Sequence, residues 1–493
     1  MGCWLGKAVG GTLGQTFEGM EGPLSADFYL PVPTTMVPND DLDLQVVYAC
    51  LIDAMPEPRV DRHVLAEGWL RHVEFPWNEY GVGLRNVREG IQPPHSGSFD
   101  NWFTCGEGAA IRSELWACLA PGDPDLAQAY AYEDACFDHA GDGLIAALFL
   151  ARLQAAAFTE SDPRTLIATA LRHLPDNGGR IARVVTDTLA WIDEGLDWRA
   201  VRERIVERYG NDDFTDVRIN TGFVITGWLL GRDFSERILI CNNCGGDCDS
   251  STATIGALLG ILDPAGIDER WLAPIGRDLV LNDQIIGLDH PDTLDGFTDL
   301  VESLRDRLGE HVPPQTAPFD PADHAIPVRR GFTNTEYGKW TVRDQTELPP
   351  IGAPELTKVD LTETTVPGTW IRIPRSDFAD KILVLEYSLD GRGTEAVRLM
   401  IQCTEHVRAW LDGEMIHAAQ GSTYQFPAPH MPPIGQYQDF TLAPGAHRLR
   451  LAIKRPPVHR DTAELVVALV DQHSKQWIPH AFRPDRALDA PTA

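Results

Sequence analysis

Two rhythms of apolar residues divide the chain. Up to about residue 310 they recur at three- and four-residue spacing, as in GDGLIAALFLARLQAAAF (141–158), RIARVVTDTLAWIDEG (180–195) and DWRAVRERIVERYG (197–210). That period gathers them into one stripe per helix, so these stretches predict amphipathic helices. NTGFVITGWLLG (220–231) and SSTATIGALLGIL (250–262) are instead apolar nearly all round and rich in small residues. They predict central helices, packed close because small side chains let backbones approach. An all-α domain over residues 1–310 follows.

The rhythm changes after that. HVPPQTAPFDPADHAIPVRRG (311–331) is proline-rich and lacks a helical period, so residues 311–355 read as a linker. Residues 356–485 hold short alternating runs: KILVLEYS, AVRLMIQC, HVRAWL, HRLRLAIK and ELVVALVD. In HRLRLAIK, Leu449, Leu451 and Ile453 point one way while Arg448 and Arg450 point the other. LDGE and APGAH supply turns. The pattern predicts a multidomain chain whose second part is an antiparallel β-sandwich or jelly roll, folding as a separate accessory unit.

Charge narrows the partners. The 493 residues carry 42 basic and 72 acidic side chains, a formal net charge of -30. Such a surface repels nucleic acid and anionic membranes, so neither is expected as a partner. No stretch reads as a membrane span or a signal peptide. Nine cysteines, eight of them before residue 250, do not form the even, closely spaced set of a disulfide framework. Reduced thiols and a cytoplasmic location are expected.

The candidate chemistry starts from CNNCGGDCDSSTATIGALLG (241–260). Cys241, Cys244 and Cys248 have a zinc-like C-x2-C start, but no second C-x2-C or H-x3-H completes it. A redox pair would need a βαβ setting, which the region lacks. Asp247 and Asp249 fit better. The glycines permit a tight turn, Ser250 or Ser251 can cap the next helix, and both carboxylates then sit at a helix N-terminus. VPNDDLDLQVVYACL (37–51) places Asn39, Asp40 and Asp41 before another apolar helix. Capping needs only one of them. Oxygen donors of this kind favour Mg²⁺, with Mn²⁺ or Ca²⁺ as alternatives, and the two clusters together could serve a two-metal site.

Five separated stretches resemble the ADP-ribosylglycohydrolase superfamily, which includes the dinitrogenase reductase-activating glycohydrolase. GCWLGKAVGGTLGQTFEG resembles the family's opening helix and its acidic end, here Glu18. NDDLD resembles the first metal motif, usually Thr-Asp-Asp-Thr. CGEGAAIRSELWACLAPGD resembles the Gly-Asn-Gly-Ala-Ala-Met-Arg segment, and DHAGDG the downstream His, here His139. GGDCDSSTATIGALLGI resembles the closing Gly-Gly-Asp-Thr-Asp-Thr motif. The β-region is outside this resemblance and is similar to the carbohydrate-binding jelly rolls appended to glycosidases.

The resemblance implies that Asn39, Asp40, Asp41, Asp247, Asp249 and Ser250 hold two Mg²⁺ ions, with Glu18 nearby. Asn39 and Leu42 stand where the family has Thr, and Glu107 where it has Asn. The implied activity is hydrolysis of an O- or N-glycosidic bond in a carbohydrate or ribosyl compound. A protein ADP-ribosylglycohydrolase and a silent sugar-binding protein are the alternatives. Asp247 or Glu18 would orient or deprotonate water, and Glu107 would protonate the leaving group. His139 would touch the substrate. EFPWNEYGVGLRNVREGIQPPHSGSFDNWFTCGEG (74–108) adds Trp77, Tyr80, Phe99, Asn101 and Trp102, which read either as a sugar-stacking wall or as anchors of a packed loop.

Overall fold

A computed structural model describes residues 1–333, 355–377, 381–393, 395–419, 421, 427–430, 437–454 and 462–482. Residues 334–354 of the expected linker and 483–485 at the end of the expected β-domain lie outside these. The chain forms two compact units. One comprises Met1–Phe75, Asn86–Ser98 and Phe103–Ala317; the other comprises Pro76–Arg85, Phe99–Trp102 and the described part of Pro318–Ala493.

The first unit is helical, and its helices begin where the sequence offers caps. Asp197 accepts from the amides of Arg199 and Ala200 at 3.0 Å each, opening Trp198–Tyr209. Asp123, Asp162 and Asp233 open their own helices in the same way. The all-round apolar segments are central: most of Val217–Leu230 and nearly all of Cys248–Leu262 are buried. Gly141–Ala156, expected to bury one stripe, is buried nearly all round as well. Cys248–Leu262 packs along the opening helix, Gly2–Gly14, through a seam of small residues. A Cβ added at Gly2, Gly6, Gly10 or Gly14 would sit 2.2, 2.0, 2.1 or 2.3 Å from the carbonyl oxygens of Gly260, Gly256, Thr252 and Cys248. Backbone meets backbone there, so glycine is required by space alone.

The second unit is a pair of antiparallel sheets, with ten strands among the described residues. They are β1 (Ile326–Thr333), β2 (Thr362–Val366), β3 (Trp370–Pro374), β4 (Ile382–Gly391), β5 (Glu395–Cys403), β6 (His406–Leu411), β7 (Glu414–Ala419), β8 (Tyr437–Leu442), β9 (Gly445–Lys454) and β10 (Thr462–Asp471). One sheet runs β2-β1-β4-β9-β6-β7, the other β3-β10-β5-β8. Their facing sides form the core, in which Leu385 and Tyr387 pair with Leu451 and Leu449. Asp412 and Gly413, at φ 51° and 93°, make the tight turn between β6 and β7 that LDGE predicts.

Two features depart from the simple alternating pattern. The outer face of the larger sheet is covered: Ile382, Val384, Trp410 and Ala452 pack with Leu356 in a second small core. Arg450 therefore faces away from the main core without reaching water; its Nε donates to Glu386 Oε2 at 2.9 Å. The unit also takes in Pro76–Arg85 and Phe99–Trp102. Asp100 accepts from Thr369 N and Trp370 N, both at 2.8 Å, and pairs with Arg85 at 3.3 Å.

Candidate active site

The carboxylates come from three segments of the helical unit. Asn39 caps the Asp40–Asp53 helix by accepting from Asp41 N at 2.8 Å, so Asp40 and Asp41 open its first turn. The Cys248–Leu262 helix has Asp247 at its cap position, yet the Asp247 side chain makes no cap bond. Gly245 and Gly246, at φ 81° and 79°, complete the turn so early that Ser250 and Ser251 lie inside the helix. They do not cap it, contrary to the sequence expectation. Glu18 follows the short turn at the end of the opening helix.

Carboxylate oxygens of Glu18, Asp247 and Asp249 lie within 4.8 Å of one another, and those of Asp40, Asp41 and Asp249 do the same. Asp249 belongs to both groups. Close packing along the glycine seam brings this about, because Gly14 touches the backbone of Cys248 and Asp249. Asn39 spends its amide oxygen on the cap and turns Nδ2 toward Asp249 Oδ2 at 3.2 Å. Ser250 Oγ lies 3.5 Å from Asp41 Oδ2.

The electrostatics are those of a site short of positive charge. Burial, then repulsion from Asp249 and Glu107, pushes the Asp247 carboxyl well above the usual range. Burial, then Glu18, pushes Asp249 to about 7, and partial desolvation with Asp40 and Asp41 brings Glu18 to about 7. Asp249 Oδ1 is buried with no hydrogen-bond partner. An orphaned buried oxygen among converging carboxylates, all of them hard donors, fits a divalent cation. Among the described residues no such group includes a cysteine. Cys241, Cys244 and Cys248 are fully buried, and burial pushes their thiols up, Cys241 to about 12.

Glu107 is buried beside this cluster. Its Oε2 has no partner, and burial, then Asp41 and Asp249, holds its pKa well above the usual range. His139 is buried too, with Nδ1 2.7 Å from Asp138 Oδ1, which also accepts from Arg112 Nη2 at 2.7 Å. Trp77, Asn101 and Trp102 belong to the second unit. Trp102 is buried there, donating from Nε1 to Pro427 O at 3.2 Å and meeting Trp477 edge-on at 5.5 Å. Trp77 lies 6.5 Å from the His430 ring. Trp102 is thus packed within that unit.

Sequence reasoning passed over three polar groups near the carboxylates. Asn220 accepts from Asp247 N at 3.2 Å and donates to Phe214 O at 2.9 Å, fixing the turn. Asp43 anchors Asn282, accepting from its N and Nδ2 at 3.0 and 2.7 Å. Lys7 pairs with Asp41 at 3.2 Å. A lysine inside a helix of small and apolar residues was the available signal for the third. Among the described residues, no helix is long and apolar enough to cross a membrane.

An uncharacterized protein of Archaeoglobus fulgidus is 26% identical over 287 residues, covering 55% of this chain and 89% of that one. A solved structure, described as an ADP-ribosylglycohydrolase-related protein complex, aligns at 20% identity with a TM-score of 0.44. It covers 62% of this chain and 96% of its own. The sequence model of the ADP-ribosylglycohydrolase family matches residues 1–310, and the chain belongs to that family.

Proposed function

We propose that the helical domain is a divalent-cation-dependent glycohydrolase that cleaves an O- or N-glycosidic bond of a carbohydrate or ribosyl compound. The observation that carries the reading is the convergence of Glu18, Asp40, Asp41, Asp247 and Asp249, with the buried Glu107 beside them. Asp40, Asp41, Asp247 and Asp249 would hold the cation, with Ser250 Oγ and the second lone pair of Asn39 Oδ1 available as neutral donors. Mg²⁺ is the leading ion, two of them the leading stoichiometry. When bound, it would supply positive charge that orients a sugar diol and acidifies water.

The chain's own groups account for the rest. Burial is the main cause that raises the Glu107 pKa and favours its protonated form, which could give a proton to the departing oxygen or nitrogen. Glu18 titrates near neutrality, at about 7, and is exposed, so it can orient an incoming water or take its proton. Asp247 is the other group able to do so. The carboxylates also lower the energy of positive charge developing on the sugar as the bond breaks.

The substrate class is tested by assaying Mg²⁺-loaded protein, before and after EDTA, on aryl glycosides and on ADP-ribosylated peptides. Metal-dependent release of an aryl sugar is expected. Release of ADP-ribose alone would favour a protein ADP-ribosylglycohydrolase, and sugar binding without turnover of either would favour a silent binding protein. Full turnover in protein shown by elemental analysis to be metal-free would overturn the proposal.

A further inference from the structure

One buried charged group has no part in the chemistry proposed above. Lys7 is 1% exposed, midway along the glycine-rich opening helix. Its ammonium donates to Ile111 O at 2.7 Å and Asp41 Oδ1 at 3.2 Å, and it pairs with Glu114 Oε2 at 3.1 Å. Three hydrogens thus have three acceptors. Glu114 is itself fixed, with Gln45 Nε2 on Oε2 and Gln154 Nε2 on Oε1, each at 3.0 Å. Gln45 also donates to Asp41 O at 2.8 Å and accepts from Leu115 N at 2.7 Å.

Burial alone would favour the neutral amine, but the ammonium lies between two carboxylates, 3.1 Å from Glu114 Oε2 and 3.2 Å from Asp41 Oδ1. Burying an ion pair is expensive, and apolar side chains of the same volume would pack these helices at least as well. What an apolar pair could not do is grip one oxygen of Asp41. The other, Oδ2, is the one that Ser250 Oγ approaches at 3.5 Å.

We propose that Lys7 is a positioning residue for the carboxylate site, holding Asp41 by Oδ1 so that Oδ2 alone is offered to a cation. Glu114 and the two glutamines fix Lys7 in turn. The inference rests on reading the carboxylates as a cation site. It makes the ammonium a permanent strut of the site, setting how tightly Asp41 can take part.

The test is the charge-conserving pair Lys7→Met with Glu114→Gln, which removes one charge of each sign. Mn²⁺ affinity is read by calorimetry and folding by circular dichroism and thermal melting. Loss of groups that orient metal ligands weakens binding on the order of ten- to a hundred-fold, and that loss is expected here in a folded protein. Wild-type Mn²⁺ affinity in the folded double variant would overturn the proposal, leaving Lys7 as a counter-ion of Glu114 only. A crystal structure of the wild-type protein with Mn²⁺, located by anomalous scattering, decides the matter even if the variant fails to fold. Asp41 bound to the ion through Oδ2 with Oδ1 kept on Lys7 supports the proposal; Asp41 swung off Lys7 overturns it. No Mn²⁺ at these carboxylates in the wild type would overturn the reading of the site itself, a different outcome from normal binding without the strut.

Discussion

Replacing Gly6 by alanine tests how the site is assembled, from a position that touches no carboxylate. A Cβ there would lie 2.0 Å from Gly256 O and 2.5 Å from Gly256 C, short of an ordinary 3.4 Å contact by roughly 1.4 Å. Both obstructing atoms are backbone, so no rotamer change relieves the overlap. The opening helix and the Cys248–Leu262 helix must separate or slide. Overpacking of this kind costs about 1–3 kcal/mol. Loosened contacts at Gly2 and Gly10 add to it, while alanine's better helix propensity returns at most about 1 kcal/mol.

At about 2.1 cal/mol/K of unfolding entropy per residue, a net loss of about 2 kcal/mol lowers the melting temperature by roughly 3 °C in a domain of this size. The separation also carries Asp249 away from Asp40 and Asp41, so Mn²⁺ affinity falls although every donor is present. Gly309→Ala is the control, since nothing lies within 4 Å of its added Cβ, and it is expected to stay within about 0.5 kcal/mol of wild type. Calorimetric melting and Mn²⁺ titration of both variants give the answer. Gly6→Ala that melts and binds Mn²⁺ like Gly309→Ala would refute the account of the seam.

Other outcomes follow from the same geometry. Glu107→Gln should leave Mn²⁺ content unchanged and lower turnover by roughly a hundred-fold or more, less for nitrophenyl leaving groups; equal loss across leaving groups would remove the acid role. Cys241→Ser with Cys244→Ser should keep metal stoichiometry unchanged by elemental analysis, whereas zinc lost in that variant would restore the cysteine reading. Glu18 and Asp249 are raised from 4.5 and 3.8 to about 7, so the metal-free fold binds more protons than the unfolded chain across that window. Their contribution to stability is full below about 4 and is lost as pH rises through about 7. Mn²⁺ should therefore raise the melting temperature more at about pH 8 than at about pH 6, with protons released on binding; equal shifts at both would contradict the raised values.

Much of this was legible in the sequence, because the residues concerned obey local rules. Asn39 and Asp197 cap helices by reaching amides two or three residues on, and Leu449, Leu451 and Ile453 face one core because a strand alternates. The carboxylate pairs were legible since two adjacent like charges have no local purpose. What escaped depends on partners remote in sequence. β1 (Ile326–Thr333) lies within the proline-rich stretch, and its pairing with β2 and β4 is made with residues 362 and beyond. Ser250 was read as a cap because the spacing allowed it; two successive left-handed glycines moved the helix start to Cys248.

The aromatic segments show the same limit from the other side. Trp77, Asn101 and Trp102 sit in a loop-rich stretch of the helical half of the sequence, where composition alone suits either a sugar wall or a packed anchor. Asp100 shows what holds the stretch in place. At φ 50° it directs both carboxylate oxygens at the backbone and hydroxyl of Thr369 and at Trp370 N, with Arg85 balancing its charge. A buried carboxylate satisfied by three donors from the start of one strand is a fixed structural joint. Trp102, two residues on, is committed to Pro427 and Trp477. A chain cut near Pro313 would remove every one of those partners except Arg85, leaving Asp100 and Trp102 with unmet polar atoms. The helical half is thus expected to be destabilised by the cut, and a truncated protein with unchanged melting would show that these joints carry no stability.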